Sequence, residues 1–202
     1  MNVPFLSESL YENEKFKDQD LKNSHWEGKE FYDCTFHACR LAESTLLRCT
    51  FVDCVFKKCD LSLANVPQCT FQNTTFKKTR LVGINWAKMS WKRTNLQVPF
   101  HFHECNISYC NFFGICLKGC SMINCMVNET DFAEADLTEA NCQRSDFRKT
   151  RFFHTNLTRA NFKDALEYQI DPLNNTLKKT IFNLPEAVAL LNGLDIILDE
   201  SD

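Results

Sequence analysis

Residues 135–144 of the sequence read ADLTEANCQR and form two consecutive five-residue units. Each unit has a small residue, then Asp or Asn, then an apolar centre, which is Leu137 in the first unit and Cys142 in the second. Apolar centres recur every five residues from Phe16 to Leu96 and from Phe102 to Phe162, which makes thirty units. An α-helix repeats about every 3.6 residues and a strand every two, so neither accounts for this period. It predicts a backbone that turns a corner every five residues.

Small side chains form a second pattern, two positions before the apolar centres. Ten of the twelve cysteines lie there, and Ala, Ser or Thr fill the equivalent place in other units. These cysteines are Cys34, Cys39, Cys49, Cys54, Cys59, Cys69, Cys105, Cys110, Cys120 and Cys125. A free cysteine packs as a compact hydrophobe, so we expect these thiols to lie in the core beside the apolar centres.

These units resemble those of the pentapeptide-repeat proteins, in particular members of the Qnr, MfpA and McbG type. The resemblance rests on segments such as Ala135-Asp136-Leu137 and Ala160-Asn161-Phe162, and covers residues 16–162. It implies an all-β fold, a right-handed quadrilateral parallel β-helix with four units per coil. It also divides the chain into an N-terminal lead-in or cap (1–15), the β-helix (16–162) and a C-terminal connector with a capping or dimerisation helix and a short strand (163–202).

Residues 20 positions apart support such a coil because similar side chains sort into columns. At a spacing of about 4.8 Å, some seven coils would make a rod of roughly 35 Å. Between the two runs of units the period slips by one residue near 97–101, and we interpret this as a one-residue bulge. The predicted columns are Phe16, Phe36, Phe56, Phe76, Leu96, Leu117, Leu137, Leu157; Phe31, Phe51, Phe71, Trp91, Phe112, Phe132, Phe152; and Leu21, Leu41, Leu61, Leu81.

The many cysteines raise the alternatives of a metal site and of disulfides. Zinc ligands converge on one point, whereas Cys49, Cys54 and Cys59 follow the repeat and fall on different walls. Stacked cysteines such as Cys34 and Cys54 would be about 4.8 Å apart, within the range of a disulfide. A chain that is not exported stays in a reducing compartment, however, so we predict free thiols and no metal or cofactor.

Composition and motifs indicate a soluble, cytoplasmic protein that is not an enzyme. The chain has no apolar run of about 18 residues that could span a membrane, and its first ten residues do not resemble a signal peptide. It has no Ser/His/Asp constellation, phosphate-binding glycine loop or zinc-binding helix motif. His101 and His103 are predicted to point outward at the bulge. A solenoid with polar walls offers no deep pocket, so no small-molecule substrate is expected.

The tail is predicted to contain a turn-rich connector, a helix and a short strand. Asn183 and Glu186 are spaced as a capping box, and Gly193 marks the end of the helix. Residues 196–198 could form the strand. The helix could simply cover the last coil, but residues 187–197 resemble the C-terminal module through which Qnr-type proteins dimerise. The resemblance therefore implies a symmetric homodimer.

Charge is unevenly distributed along the chain. The net charge is −2 in residues 1–15, +4 in 16–162 and −5 in 163–202. The predicted columns place basic residues on one wall, namely Lys57, Lys58, Lys77 and Lys78, with Lys17 and Lys118 on either side. Carboxylates gather later and spread over three walls, namely Glu129, Asp131, Glu134, Asp136 and Glu139.

Two functions remain open. The resemblance implies a rod that mimics DNA, binds DNA gyrase or topoisomerase IV and relieves inhibition by quinolones or gyrase toxins. A DNA mimic needs continuous negative charge, about one per 1.7 Å of duplex, which a net positive rod lacks as a whole. Qnr proteins also carry loops that interrupt the coil, where this sequence predicts a single added residue. The alternative is a scaffold for another protein partner, with an acidic partner suited to the lysine wall. Direct binding of nucleic acid there is a weaker hypothesis.

Overall fold

Short parallel strands, stacked coil upon coil, build the molecule. The computed structural model describes residues 8–90, 98–194 and 196. The strands of this part are β1 Leu10–Glu12, β2 Lys15–Lys17, β3 His25–Glu27, β4 Glu30–Tyr32, β5 Thr35–His37, β6 Thr45–Leu47, β7 Thr50–Val52, β8 Val55–Lys57, β9 Thr70–Gln72, β10 Thr74–Lys77, β11 Phe100–His103 and β12 Ser121–Ile123. They form the sheets β1-β4-β7-β9, β2-β5-β8-β10-β11-β12 and β3-β6. Isolated parallel bridges continue the stacking to Asn161 and Ile181. The predicted right-handed quadrilateral β-helix is confirmed.

Each five-residue unit makes one corner of the coil. The residue two positions after a centre adopts the left-handed conformation, with φ of 55° at Asn13 and 53° at Asp18. Asp and Asn tolerate this conformation better than most residues. The residue before a centre supports the turn when it is Asp or Asn. Asp136 Oδ1, for example, accepts the Thr138 backbone N–H at 2.9 Å. The preference for Asp and Asn before the centre thus has a local hydrogen-bonding cause.

The apolar centres form four interior columns. The rings of Phe36 and Phe56 stack with centroids 4.5 Å apart, and those of Phe56 and Phe76 are 5.1 Å apart. The predicted leucine column is also present, since successive coils bury Leu21, Leu41, Leu61 and Leu81. Each buried Phe or Leu side chain stabilises the fold by about 1.5–3 kcal/mol.

The coil that joins β10 to β11 corrects the predicted register. Phe76 pairs with Phe102, so this coil contains 26 residues instead of 20, and the predicted one-residue bulge is wrong. The six added residues lie between Ser90 and Val98. The regular register holds as far as Ser90, since its N–H donates to the Cys69 carbonyl. Trp91 and Leu96, which were predicted as column members, lie outside the described residues.

This register exchanges the columns beyond the interruption. Phe112 stacks on Trp86 with centroids 5.9 Å apart, and so does not follow Trp91 in the column of Phe71 as predicted. The phenylalanine column continues from Phe76 to Phe102 and Met122, not to Leu117. Phe100 aligns with Thr74 and fills the place of a small residue with an aromatic ring. The rings of β11 thereby fill the core of the longer coil.

Coil pairing extends beyond residues 16–162 at both ends. Tyr11 in β1 pairs with Phe31, and Thr176 bridges to Asn156. A 3₁₀ helix of three residues, Trp86–Lys88, occupies one corner, and a second one, Glu186–Gly193, follows the last coil. In the described residues, no helix has the length and apolarity to cross a membrane.

The C-terminal helix differs from its prediction in type and in capping. It is a 3₁₀ helix, and no side chain caps its first turn. Asn183 Oδ1 instead accepts the backbone N–H of Asp164, so the side chain is engaged with the preceding coil and the predicted capping box is wrong. The helix does end at Gly193, as predicted. Ile196 is not in a strand, and Ile197 and Leu198 lie outside the described residues.

Candidate interaction surface

The predicted cysteines lie inside the solenoid and bond its backbone. All twelve are free thiols, and of these only Cys116, which lies just before a centre, is exposed. Cys54 Sγ lies 3.4 Å from the Phe31 carbonyl oxygen, 23 residues earlier, and Thr79 Oγ1 lies 3.2 Å from that of Phe56 in the same relation. A Cys or Thr at this position can therefore link one coil to the coil before it.

The chemistry of the buried thiols is structural. Burial raises the pKa of Cys110 and of Cys120 to about 12, so both stay protonated at neutral pH. Contact with the Cys39 thiol, followed by burial, raises the pKa of Cys59. Within residues 8–90 and 98–194, no three His, Cys, Asp or Glu side chains are arranged to hold a metal ion. A surface that binds a partner would therefore lie on the outer walls.

Among the described residues, five carboxylates on the outer walls face arginines of the next coil. Arg40 contacts Asp20 at 2.6 Å and Arg80 contacts Asp60 at 4.0 Å, in a column where acid and base alternate. Further pairs of this kind are Arg48 with Glu27, Arg151 with Asp131 and Arg159 with Glu139. Exposed pairs contribute little stability, but they neutralise each other's field.

One wall departs from this alternation. Lys17, His37, Lys57, Lys77 and His103 follow each other in register across β2, β5, β8, β10 and β11. We call this column the basic ladder. It confirms the position predicted for Lys17 relative to Lys57, but His103 takes the place that was predicted for Lys118. Lys118 follows Leu117 on another wall because of the 26-residue coil.

The two histidines after the interruption point outward and are half-buried. His101 Nδ1 lies 3.3 Å from Ser121 Oγ on the next coil. Burial, and then the charge of Lys77, lower the pKa of His103. The sequence did not single out His37, and it predicted an outward His103 without placing it on the lysine wall, because its register with Lys77 depends on the 26-residue coil. Their positions beside lysines 20 and 26 residues away were the missed signal.

The predicted acidic residues are spread over the coil of residues 127–147, as expected. Glu129, Glu134 and Glu139 each follow a centre of a different column. Glu129 accepts the Tyr109 hydroxyl at 3.3 Å, while Glu134 and Asp136 have no ion-pair partner in the described part of the chain. The surface nearby holds open depressions of about 440 and 530 Å³, both of which include Arg80, Asn106 and Met126.

Apolar side chains are exposed at the C-terminal end. Leu173 and Leu184 are 74% and 76% exposed, and Ile181, Val188 and Ile196 are about half exposed. Phe113 and Phe153 also project from one wall, with buried Ala133 in register between them. Five exposed apolar side chains thus fall within residues 173–196, whereas the others in the described structure are distributed along the walls.

Comparisons with known proteins agree with this geometry. The pentapeptide repeat region model matches residues 29–98, and the model of eight pentapeptide repeats matches residues 115–152. No curated protein sequence is significantly similar to the chain. A trypsin-treated variant of QnrB1, a plasmid-mediated fluoroquinolone resistance protein, superposes with a TM-score of 0.63 at 20% identity, over 94% of this chain and 91% of that one.

A second solved structure shares the same fold. HetL, a pentapeptide repeat protein involved in heterocyst differentiation regulation from the cyanobacterium Nostoc sp. strain PCC 7120, superposes with a TM-score of 0.55 at 15% identity, over 85% of this chain and 84% of that one. At such identities the structural likeness concerns the fold alone. Together with the two repeat models, it leads to one conclusion: the chain belongs to the pentapeptide-repeat protein family.

Proposed function

We propose that the protein is a non-enzymatic rod that binds DNA gyrase or topoisomerase IV and protects it from quinolones. The proposal is carried by the likeness of its coil, over 94% of the chain, to QnrB1, a fluoroquinolone resistance protein. A second point supports it. The sequence resemblance implies coil-interrupting loops in Qnr proteins, and the coil between Phe76 and Phe102 contains six added residues. The objection raised by a one-residue interruption is thereby removed.

The outer surface supports a role in binding rather than catalysis. The depressions on the described walls are open, and the thiols other than Cys116 are buried. Catalysis usually requires a concave site with converging polar groups. A rod with regular rungs instead presents a long, rigid surface that suits a protein partner. We propose that the protein is cytoplasmic, where it would encounter such a topoisomerase.

We further propose that two copies join through their C-terminal ends. The exposed side chains of Leu173, Ile181, Leu184 and Val188 at this end support the proposal, because a protein rarely leaves so many apolar groups together in water. Sedimentation of the purified chain tests it. We expect the wild-type chain to be a dimer and Leu184→Glu to be a monomer. A wild-type monomer at micromolar concentration would contradict the proposal.

The charge pattern limits DNA mimicry to a local patch. Asp131 and Glu139 are offset by arginines, so only part of the coil of residues 127–147 adds to a negative field. Three acidic residues of this coil have no ion-pair partner in the described structure. Of these, Glu129 accepts a hydrogen bond from the Tyr109 hydroxyl of the preceding coil. Glu134 and Asp136 face no side-chain donor of another coil among the described residues. We therefore assign the DNA-like contact to these two carboxylates and not to the whole rod.

Gyrase supercoiling in the presence of ciprofloxacin tests the proposal. Wild-type protein should restore supercoiling and reduce drug-induced DNA cleavage. Glu134→Gln with Asp136→Asn removes two charges but keeps the turn acceptor, and it should weaken protection. Asp33→Asn with Glu43→Gln makes the same change in charge at exposed corners near the other end, and it should leave protection unchanged. Absence of any wild-type effect at micromolar protein would refute the proposal.

A second candidate function is a scaffold for a different protein partner. The basic ladder favours it, because a surface that stacks cations is unsuited to imitate DNA. In this case the purified protein would leave gyrase unaffected and would bind an acidic protein through this wall.

A further inference from the structure

The basic ladder is an arrangement that costs stability. Its five rungs follow one another in parallel register, with a spacing of about 4.8 Å. Lys57 and Lys77 lie directly opposite each other, and like charges so placed on neighbouring strands destabilise a sheet by roughly 1 kcal/mol in water. The lowered pKa of His103 keeps that rung neutral at neutral pH. Lys57 and Lys77 are exposed and have no ion-pair partner among residues 8–90 and 98–194. Folding alone gives no reason to stack cations here.

The corresponding positions of the other walls do not repeat this pattern. On each wall the residue after the centre faces outward, and basic residues at these positions are isolated from one another. They are Lys22 and Arg148 on the wall of Leu21, and Lys118 and Lys178 on the wall of Leu117. Residues 61–103 contain no Asp or Glu, so nearly two consecutive coils beside the ladder lack compensating charge. The ladder is therefore a local feature and not a consequence of the repeat.

The corner beside the ladder extends the positive surface. Lys58 and Lys78 directly follow Lys57 and Lys77 and are exposed. Lys78 contacts Glu104 at 3.3 Å, which marks the end of the positive region, as Asp18 near Lys17 does at the other end. The column on the next wall, in which Arg40 and Asp60 alternate, is already neutralised. An anionic partner is thus confined to a narrow, straight line along the rod.

The rung spacing selects the form of that partner. Four intervals of about 4.8 Å span roughly 19 Å. Acidic residues spaced alternately three and four apart on an α-helix lie on average about 5.25 Å apart along its axis, so four intervals span about 21 Å. Residues on one face of an extended strand recur about every 6.7 Å, and four intervals span about 27 Å. Flexible lysine side chains can accommodate the difference between about 19 and 21 Å far more easily than the difference between about 19 and 27 Å.

We propose that the outer face of the sheet β2-β5-β8-β10-β11-β12 is a docking surface for an α-helix with a single stripe of Asp and Glu along one side. The helix lies parallel to the rod, and its carboxylates pair with Lys57 and Lys77 at the centre of the ladder. The surface is separate from the acidic coil of residues 127–147 and from the C-terminal end. It does not depend on the topoisomerase proposal.

The test measures the binding of synthetic peptides to the purified full chain, with no topoisomerase present. The probe is an alanine-rich helical peptide of about 20 residues with Glu at alternating spacings of three and four. A peptide of the same composition with its Glu residues spread around the helix, an extended Glu-Thr repeat and duplex DNA serve as comparisons. We expect the striped helix to bind at least about tenfold more tightly than the others.

Variants locate the contact. Lys57→Glu with Lys77→Glu should weaken binding of the striped helix at least about tenfold. Lys22→Glu with Lys118→Glu changes charge equally at the same position of two other walls and should have less than about a twofold effect. Lys57→Gln with Lys77→Gln, which lacks new charge, should also weaken binding and should raise the melting temperature. Circular dichroism verifies the fold of each variant.

Several results would overturn the proposal. Equal binding of the striped and the spread peptide would exclude recognition of a helical stripe. Tighter binding of the extended repeat or of duplex DNA would assign the ladder to a different kind of partner. Equal losses in both pairs of Glu variants would mean that binding reflects net charge and not the ladder. Failure of the gyrase assay alone would leave this inference intact.

Discussion

The hydrogen bond that links a small polar residue to the preceding coil can be tested at Thr79. Its side chain is 1% exposed, and its hydroxyl lies 3.2 Å from the Phe56 carbonyl oxygen and 3.0 Å from that of Lys77. The same oxygen accepts the backbone N–H of Cys59 at 3.3 Å. Thr79→Val retains the shape but removes all three interactions.

The cost of Thr79→Val follows from the groups that it leaves buried. An unsatisfied buried N–H or C=O costs about 1–3 kcal/mol, and the Cys59 N–H has no other partner in the described structure. We expect a loss of about 2–3 kcal/mol in the free energy of unfolding, which lowers the melting temperature by roughly 4–12 °C in a chain of this size. Equilibrium unfolding in urea measures the change.

Thr79→Ser is the matched control for this experiment. It keeps the hydroxyl and loses one methyl group, so it should cost only about 1 kcal/mol. If Thr79→Val were as stable as Thr79→Ser, the small residues would act only through their size. The hydrogen-bonding explanation of the Cys, Ser and Thr positions would then be refuted.

Three further predictions concern the core and its thiols. Phe56→Ala should cost about 3–5 kcal/mol in urea unfolding, because the ring is buried between two stacked phenyl rings, and a loss below about 1 kcal/mol would contradict the stacking. Brief treatment of the native protein with iodoacetamide should modify Cys116 alone, because the other cysteines are buried. Mass spectrometry identifies the modified sites, and modification of several cysteines would contradict this prediction. The raised pKa of Cys110 and Cys120, from about 9 unfolded to about 12 folded, should stabilise the fold fully below pH 9 and progressively less as pH rises to 12. A urea midpoint that rises over this interval would oppose it.

The repeat carries most of the information that the sequence holds about the fold. The inward position of centres such as Leu137, and of small residues such as Cys54, follows from a period of five and a coil of 20. The register across the interruption could not be derived in this way. Insertions of one, six or eleven residues shift a five-residue period by the same single step. The sequence therefore predicted correctly that Phe102 is a centre, but not the length of the coil that precedes it.

The candidate surface was harder to predict than the fold. The lysine wall was found, but His103 became part of the ladder only when the register was known. At the C-terminus the capping pattern was misleading because Asn183 bonds the Asp164 N–H of the preceding coil. A local sequence signal cannot reveal that tertiary competitor. Outward residues that make no turn hydrogen bond have few packing constraints, so the repeat does not determine their pattern.

Disulfide trapping between Thr75 and His101 tests the stacking register most directly. Both side chains face outward and are paired on adjacent strands, about 4.8 Å apart, within the range that a disulfide requires. In a Cys116→Ser background, Thr75→Cys with His101→Cys should lose two thiols on mild oxidation, while Thr75→Cys with Ser121→Cys, two coils apart, should not. Failure of the first pair to close, or equal closure of the second, would contradict the 26-residue coil and the columns built on it.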